Sequence, residues 1–509
     1  MHREQTAVRD HGSGGDAARP FASPWRLSWP LVAGVALFAA LATAPWPLLG
    51  DPDSHWHIAI GDWILAQGAV PVVDSHSHTF NGRPWIAKEW LSQLVLALAH
   101  KAGGWGAILA LCAASIALTF ALLLRLLLHD IRALPAALFT AAAVVMTMPH
   151  FLARPHVLAF PFLLLWVAGL VRAVEDRRAP RPVLLLAMLV WANLHGGFTL
   201  GLVLCGAFAL EAVMAARHAA ERRRLLAGWA AFGIAALLAA CLTPYGPQSM
   251  LVTLRIFGLG DALNLIDEWQ SPDFQAQPLQ EIVVLIGLAL CLAGGLKLPL
   301  LRLPIVIGLV HLFLVHARNA ELLAMLVPLA MAPALARQFP SLRHGGVSSG
   351  RPTDLSRPAG RHATLLAVSL AVAFSAGMVG WSRIRPSADT TPAAALAFAR
   401  QAGLTGPVFN HYGFGGFLIG AGIPTFIDGR AELFGRDFIL RYADAVSLRG
   451  TEPLEDMLDR YGIEWTFLQK DQAANKLLER LPGWRRAYGD DTAIIFVRRH
   501  DGLDFGLGP

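Results

Sequence analysis

Long apolar runs, separated by short polar connectors, form the main pattern along this chain. A helix needs about 20 apolar residues to cross the ~30 Å hydrocarbon core of a bilayer, and fewer where protein surrounds it. Eleven runs meet or approach this length. They cover residues 31–49, 105–128, 131–149, 157–173, 183–194, 198–215, 225–243, 280–296, 303–316, 322–336 and 363–381. The pattern predicts a polytopic α-helical membrane protein with about eleven transmembrane helices.

The connectors between these runs alternate in charge. Arginine and lysine are concentrated in the tail before residue 31 and in residues 125–132, 172–181, 217–224, 297–302 and 337–361. Connectors rich in these residues stay on the cytoplasmic side of a membrane. Residues 1–30 are therefore predicted to be a cytoplasmic tail, and the C-terminal segment is predicted to lie outside. An odd number of spans, such as eleven, satisfies both predictions.

The remaining connectors, which are predicted to face outward, hold nearly all the unusual polar motifs. These motifs are DPDSHWH (51–57), DSHSHTF (74–80), PHFLARPH (149–156), NLHGG (193–197), TPYG (243–246), IDEWQSPD (266–273) and HARN (316–319). A random distribution would have placed some of them on the inner side. The functional face is therefore predicted to be the outer one.

The first outer loop, residues 50–104, contains two amphipathic segments. Residues 56–67 place two tryptophans and two isoleucines on one helical face, and residues 89–100 have a similar pattern. Amphipathic helices of this kind often lie in the membrane interface. Both segments are predicted to be interfacial helices.

The composition changes after residue 382 to that of a soluble α/β domain. The pattern predicts a helix after Thr391-Pro392, strands at PVFN, PTFIDG and WTFLQ, a helix at 451–462 and a hairpin around Gly489-Asp490-Asp491. The GFGG motif at 413–416 is predicted to form a tight turn. A transmembrane domain at 31–381 and an outer α/β domain at 382–509 follow from this division.

Composition supports the membrane class and excludes others. The chain is 55% hydrophobic and 15% charged, with a mean hydropathy of +0.49, whereas a soluble domain has about 25% charged residues. The net charge of +6 arises in the connectors, so it indicates topology rather than nucleic-acid binding. The four cysteines all lie within apolar runs, and no disulfide is expected.

Asp51 and Asp53 follow the first apolar run directly, where burying a charge is costly. In one interpretation Asp53 or Ser54 only caps a helix that starts near Trp56. Capping explains one acidic residue but not two with two adjacent histidines, one of which is His57. A carboxylate pair beside a membrane-buried cleft can instead act as a general base or bind a divalent cation.

Several basic side chains lie at the outer ends of predicted spans. Arg154, His156, His316 and Arg318 could each extend to lipid headgroups, or together they could bind a phosphate near the bilayer surface. The run that ends before His195 is too short to cross the bilayer, so its turn is predicted to lie below the outer surface and to line a cavity.

Two glutamates and two histidines allow more than one interpretation. Glu89 and Glu268 each precede a tryptophan and could be interfacial or could contribute to a site. His76 and His78 could bind a metal, although two alternating histidines are a weak signal for one.

These residues resemble a known family. An acidic pair after the first span, a long first outer loop, about eleven spans and an outer α/β tail are similar to the GT-C superfamily of membrane glycosyltransferases. The segment VFNHYGFGGFLIGAGIPTFIDGRAELF (408–434) is also similar to one that recurs in bacterial polyprenyl-phosphate-sugar-dependent members. The resemblance implies a bacterial inner-membrane protein with its tail in the periplasm.

The resemblance further implies an inverting transfer from a polyprenyl-phosphate sugar to an acceptor glycan, lipid or protein of the cell envelope. The family's acidic position falls on Asp53 or Asp51, and either could instead hold a divalent cation. Donor phosphate or sugar contacts are expected from Arg154, His156, His195, Arg318, His57 and Glu268. Two alternatives from other classes are a lipid or polysaccharide transporter and a non-catalytic membrane scaffold.

Overall fold

The structure is a computed structural model, and it describes residues 23–343, 355–379, 384–388, 390–450 and 452–499. Most of the predicted cytoplasmic tail and the middle of the connector 337–361 lie outside the described residues.

Helices account for most of the described chain. They are α1 Trp29–Thr43, α2 Pro45–Leu48, α3 Asp53–Gln67, α4 Trp90–Leu127, α5 Ala133–Thr147, α6 Pro155–Glu175, α7 Leu184–Leu194, α8 Phe198–Met214, α9 Ala219–Ala240, α10 Gln248–Arg255, α11 Pro278–Gly294, α12 Arg302–Val315, α13 Ala320–Gln338, α14 Arg361–Val379, α15 Ala393–Gln401, α16 Gly415–Gly420, α17 Ala431–Phe434, α18 Arg436–Val446, α19 Leu454–Arg460 and α20 Ala473–Leu478. Short 3₁₀ segments lie at Met148–His150, Ile256–Leu265, Asp267–Trp269, Ala317–Asn319 and Tyr412–Phe414.

Six helical segments within the described residues are long and apolar enough to cross a membrane. They correspond to α4, α5, α6, α9, α13 and α14, and five shorter apolar helices, α1, α7, α8, α11 and α12, fall on the remaining predicted spans. The chain is therefore a polytopic helical membrane protein. The total of eleven spans stays a prediction.

The cores of these helices pack into one large apolar cluster that draws on α1, α4, α6, α8 and α13. At the end of α6 far from the outer motifs, the fully buried guanidinium of Arg302 bonds Glu211 at 2.7 Å and Glu175 at 2.9 Å. This ion cluster joins α6, α8 and α12, so that the predicted cytoplasmic connectors meet at one end of the bundle.

The first outer loop is more deeply packed than the sequence pattern indicates. On helix α3, Trp56, Ile60 and Ile64 are buried in a cluster that also includes Ile419 of the C-terminal region, and its location in the membrane interface stays a prediction. On its other side, a Cβ placed on Gly61 would overlap the backbone of α4. Protein covers α3 on both sides because the C-terminal region folds back over it, which a helical pattern alone does not reveal.

Helix α4 combines the predicted segment 89–100 with the span that follows. The two parts meet at a break, where Gly103 and Gly104 have non-helical backbone angles and Gly104 has φ of 57°. Glycine adopts this conformation at little cost. The first part is held on the bundle by Ser92, whose hydroxyl donates to the Leu194 carbonyl at 2.7 Å.

The C-terminal region contains a four-stranded mixed sheet. Its strands are β1 Val408–Asn410, β2 Trp465–Gln469, β3 Trp484–Gly489 and β4 Ala493–Arg498. Their order is β1-β2-β4-β3; β1 and β2 are parallel, and the other two pairs are antiparallel. The predicted strands PVFN and WTFLQ and the hairpin are present, as is the helix after Thr391-Pro392. The boundary at residue 382 stays a prediction.

Two local predictions in this region differ from the structure. PTFIDG is not a strand, because Thr425 forms only an isolated bridge to Ser77 of the first outer loop. GFGG is not only a tight turn: its first half lies in the 3₁₀ turn Tyr412–Phe414 and its second half begins α16, where a Cβ on Gly416 would overlap the Pro52 carbonyl oxygen. Both differences arise from packing between the C-terminal region and the first outer loop.

Candidate functional site at the outer end of the bundle

A cavity of about 960 Å³ lies where the outer ends of the helices meet the C-terminal region. All eight residues predicted for the site contribute to its lining. These are Asp51, Asp53, His57, Arg154, His156, His195, Glu268 and Arg318. They come from five separate outer segments of the sequence, two of which include the first residues of α3 and α6.

Asp51, rather than Asp53 or Ser54, caps helix α3. Its Oδ1 accepts a hydrogen bond of 2.7 Å from the Asp53 backbone N–H. The capping role of Asp51 leaves the Asp53 side chain, which is 19% exposed, to face the cavity.

Arg154 joins both aspartates to a third carboxylate. Its Nε lies 2.6 Å from Asp51 Oδ2, its Nη2 lies 2.7 Å from Asp53 Oδ2, and its Nη1 lies 2.6 Å from Glu268 Oε2. The other oxygen of Glu268 accepts from Arg318 at 2.9 Å. Five of the predicted residues thus form one continuous ionic network.

Backbone contacts fix the two ends of this network. Arg154 has extended backbone angles immediately before Pro155, the first residue of α6, as expected for a residue that precedes proline. The neighbouring Ala153 donates its N–H to the Leu48 carbonyl at 2.8 Å and accepts from the Ser54 hydroxyl at 2.9 Å. The segment that carries Arg154 is therefore attached to the segment that carries Asp51 and Asp53.

Arg318 is held from a second direction. Its guanidinium lies 4.5 Å from the centre of the Trp269 ring. The face of an aromatic ring attracts a cation at this distance. The His316 ring nitrogen lies 2.5 Å from the Trp269 carbonyl oxygen. His316, which the sequence also singled out, thus supports the site and is itself in the cavity wall.

Burial and charge adjust the acidity of the three carboxyls differently. Burial raises the pKa of Asp53 to about 7, against the opposing effect of Arg154. Burial also raises the pKa of Asp51. Burial alone would raise the pKa of Glu268, but Arg318 and Arg154 outweigh this effect and hold the pKa well below the usual range. Asp53 is therefore a carboxyl that can exchange a proton near neutral pH.

A second group of polar residues, around Glu89, lines the same cavity. The sequence pattern did not assign Glu89 firmly to the site. Glu89 lies between two imidazoles, 3.5 Å from His195 Nε2 and 4.0 Å from His57 Nε2. Burial lowers the pKa of both histidines well below the usual value, so both are neutral at pH 7. Burial also raises the pKa of Glu89.

Lys88 and Glu432 form an ion pair of 2.7 Å in the cavity wall. Although burial disfavours the ammonium group, Glu432 raises the pKa of Lys88 above its usual value. Lys88 and Glu432 are 344 positions apart in the chain, and a single sequence contains no signal that pairs them. Glu89, the acidic residue next to Lys88 in the motif AKEWL, could be noted in the sequence, but the tryptophan after it favoured an interfacial interpretation.

Among the remaining histidines that the sequence indicated, His156 and His78 have different surroundings. His156 lines the cavity, and its Nε2 lies 3.0 Å from the His150 carbonyl oxygen. His78 lies outside the cavity wall, with Nε2 3.0 Å from the Val408 carbonyl oxygen. His78 therefore attaches the first outer loop to β1.

Across the described ranges, no group of three or more histidine, cysteine, aspartate and glutamate side chains is arranged to hold a metal ion. Asp51 and Asp53, which were the predicted metal ligands, both contact Arg154. A divalent cation at this pair stays a prediction.

One side of the cavity is apolar and reaches the outer surface of the helices. Leu163 of α6 and Leu200 and Val203 of α8 line it, and Val203 is 68% exposed. Exposed apolar residues on a membrane helix face lipid. The cavity thus combines an ionic wall with a wall that is continuous with the lipid-facing surface.

No protein-family model and no curated protein matches the sequence. Several solved structures have a similar fold, among them the following three. The apo oligosaccharyltransferase from Archaeoglobus fulgidus is 10% identical, and the match covers 94% of this chain and 75% of that chain with a TM-score of 0.53.

The other two matches are weaker. ArnT from Cupriavidus metallidurans bound to undecaprenyl phosphate is 14% identical over 92% of this chain and 98% of that chain, with a TM-score of 0.48. AglB from Archaeoglobus fulgidus, in complex with an inhibitory peptide and a dolichol-phosphate, is 10% identical over 86% and 69% of the two chains, with a TM-score of 0.49. The match at 0.53 confirms the predicted fold class, a polytopic α-helical membrane protein.

Proposed function

We propose that this chain is a membrane glycosyltransferase that moves a sugar from a polyprenyl-phosphate donor to an acceptor hydroxyl, with inversion at the anomeric carbon. The observation that carries the proposal is Asp53, a carboxyl that titrates near neutral pH, held against Arg154 in the wall of the large outer cavity. The Archaeoglobus fulgidus protein with a similar fold is an oligosaccharyltransferase, which supports the reaction class.

In the proposed step, the acceptor oxygen forms a bond to the anomeric carbon while the bond from that carbon to the phosphate oxygen breaks. The electron pair of the broken bond leaves with the polyprenyl phosphate. Asp53 takes the acceptor proton as general base, which typically contributes about 10²–10⁴-fold in rate. Attack from the face opposite the phosphate inverts the anomeric configuration.

Asp51 is proposed to position this base rather than to react. One of its oxygens accepts from the Asp53 N–H, and the other lies on Arg154. Asp51 thereby fixes both the start of α3 and the guanidinium that faces Asp53.

The leaving phosphate is proposed to bind among the cations of the cavity. Arg154 and Arg318 are guanidiniums, which suit the geometry of phosphate oxygens, and Lys88 adds an ammonium group. Neutral His57 and His195 can each donate one hydrogen bond to a phosphate or sugar oxygen, whereas the Nε2–H of His156 is donated to the His150 carbonyl. Glu268, which holds both arginines, would keep them spaced for the donor.

The lipid chain of the donor is proposed to lie along the apolar wall formed by α6 and α8. That wall reaches the lipid-facing surface, so a prenyl chain could remain in the membrane while its phosphate contacts the ionic network. With the predicted topology, the reaction would occur on the periplasmic face of a bacterial inner membrane, and the acceptor would be an envelope glycan, lipid or protein.

The test uses the purified full chain in lipid nanodiscs with a panel of radiolabelled undecaprenyl-phosphate sugars, both hexoses and pentoses. Release of free sugar without acceptor, or transfer to added envelope fractions, is the expected result. The Asp53→Asn variant should lose this activity but retain binding of undecaprenyl phosphate, measured by native mass spectrometry. Donor movement across liposome membranes without chemistry would support a transporter, and full activity in Asp53→Asn would overturn the proposed mechanism.

A further inference from the structure

The backbone of the C-terminal region contacts the Asp53 side chain at Gly429. A Cβ built on Gly429 would overlap Asp53 Oδ1 and would lie 2.8 Å from Cγ and 2.9 Å from Oδ2. Gly429 is not among the glycines with positive φ. Alanine could therefore adopt its backbone conformation, so the structure requires glycine here for space alone.

The residue after Gly429 fixes this backbone in place. The Arg430 side chain is fully buried; it donates to Asp428 at 2.7 Å and to Asp74 of the first outer loop at 2.6 Å. Its guanidinium also lies 4.9 Å from the centre of the Trp85 ring. Because breaking a buried ion pair costs several kcal/mol, the segment cannot easily withdraw from Asp53.

Glu432 adds a third attachment, since its carboxylate pairs with Lys88 at 2.7 Å. Arg430 and Glu432 therefore join the segment to the first outer loop after Gly429, and Thr425 bridges to Ser77 of the same loop before it. These contacts explain the motif FIDGRAELF: Arg430 and Glu432 attach the segment to the first outer loop, Asp428 holds the Arg430 guanidinium, and Gly429 leaves space for Asp53.

The Asp53 carboxylate is thus enclosed between two rigid groups. Oδ2 bonds the Arg154 guanidinium at 2.7 Å, and the Gly429 backbone packs against the carboxylate, closest to Oδ1. A base held in one orientation reacts faster than one that samples several, and a misplacement of about 1 Å can cost about a hundredfold in rate.

We propose that residues 428–432 of the C-terminal region complete the active site and that Gly429 is a positioning residue for the Asp53 carboxylate. The role of Asp53 as base rests on the function proposed above, whereas the contact between the two residues does not depend on it.

The first test compares Gly429→Ala with Gly483→Ala. Gly483 lies in the same region, has open space around its Cα and has no positive φ, so its variant should be fully active. Gly429→Ala should lower kcat for hydrolysis of an undecaprenyl-phosphate hexose about a hundredfold with little change in KM. Equal kcat values in the two variants would overturn the inference.

The pH dependence distinguishes positioning from general damage. Asp51, Arg154, Glu268 and Tyr412 are the ionisable groups that act on Asp53. A methyl group at residue 429 would displace the carboxylate from Arg154 and shield it from water, and both effects favour its protonated form. The acidic limb of kcat/KM should therefore move to higher pH in Gly429→Ala, and an unchanged limb would count against the proposal.

A thermal-stability cycle tests the contact without any activity measurement. Gly429→Ala should lower the melting temperature of the full chain in the Asp53 background, because overpacking is destabilising. In an Asp53→Ala background the smaller side chain leaves room for the new methyl group, and the decrease should largely disappear. Equal decreases in both backgrounds would overturn the inference, since independent sites show additive effects.

The two proposals can fail separately. A wild-type chain that neither hydrolyses nor transfers from any donor would overturn the proposed function, and the stability cycle would still decide whether Gly429 positions Asp53. If the wild-type chain is active but Gly429→Ala lowers the melting temperature equally in both backgrounds, only the role of Gly429 is overturned.

Discussion

At the scale of single residues, the two aspartates that follow the first apolar run have different environments. Both oxygens of Asp51 are engaged, one by a backbone N–H and one by Arg154. Asp53 has one oxygen on Arg154 and faces the cavity. The more exposed and weakly acidic carboxyl is therefore the better candidate for proton transfer.

Asp53→Asn should reduce sugar release from an undecaprenyl-phosphate donor by at least about a hundredfold, since the amide keeps the shape but lacks basicity. Asp51→Asn should reduce it less, because an amide oxygen can still accept from the Asp53 N–H. Rates measured on equal amounts of folded protein, checked by circular dichroism, give the comparison. Near-native rates in both variants would mean that the pair is structural.

The pH dependence of the wild type follows from the raised pKa of Asp53. Burial favours the protonated form, and the pKa of about 7 means that the base is lost as pH falls through this value. We expect kcat/KM to decline below about pH 7 with a slope of one proton, and to be level above it until another group titrates. A decline centred near the unperturbed aspartate value of about 4 would exclude Asp53 as the titrating base.

At the scale of elements, α3 is positioned by close backbone contacts that its sequence pattern does not indicate. It packs against α4 at Gly61 and against α16 at Gly416. Each contact requires the absence of a side chain. These two glycines bring Asp53, at the start of α3, within reach of both the helix bundle and the C-terminal region.

Gly61→Ala should destabilise the protein by about 1–3 kcal/mol, because its methyl group would overlap the α4 backbone. Gly287→Ala in α11 is the matched control: that glycine is also helical but has open space around it. Alanine there should be neutral or slightly stabilising, since glycine inside a helix costs about 0.5–1 kcal/mol relative to alanine. Thermal unfolding in the same detergent measures both, and equal melting temperatures would contradict the close contact.

At the scale of the whole molecule, the C-terminal region closes the site from the side opposite the helix bundle. Glu432, Gly429 and Tyr412 line the cavity together with residues from the ends of α3 and α6. The C-terminal region thus contributes to the wall of the site, because its backbone at Gly429 lies against the candidate base.

The orientation of the whole chain follows from its basic connectors and can be tested directly. Reporter fusions at Gly350, within an arginine-rich connector, and at Pro509 should lie on opposite sides of the membrane. Alkaline phosphatase should be active only at Pro509, and green fluorescent protein should fluoresce only at Gly350. The same side for both positions would contradict an odd number of spans and the periplasmic location of the C-terminal region.

The sequence by itself determined the membrane class, the positions of the apolar helices and most of the C-terminal strands. These features depend on local composition and periodicity, which a single chain displays directly. It also indicated Asp51, Asp53, Arg154, Glu268 and Arg318, because charged residues at the ends of apolar runs are costly and therefore conspicuous. Their common location at one end of the bundle followed from the alternation of the connectors.

Only the tertiary structure decided which of these residues touch and what encloses them. Three features join segments that are hundreds of positions apart. They are the pairing of Lys88 with Glu432, the burial of α3 and the contact of Gly429 with Asp53. Such contacts leave no periodic signal in the chain, because each depends on one residue meeting one distant partner. The assignment of capping to Asp51 and of the cavity-facing position to Asp53 was likewise decided by hydrogen-bond geometry, which residue spacing alone does not specify.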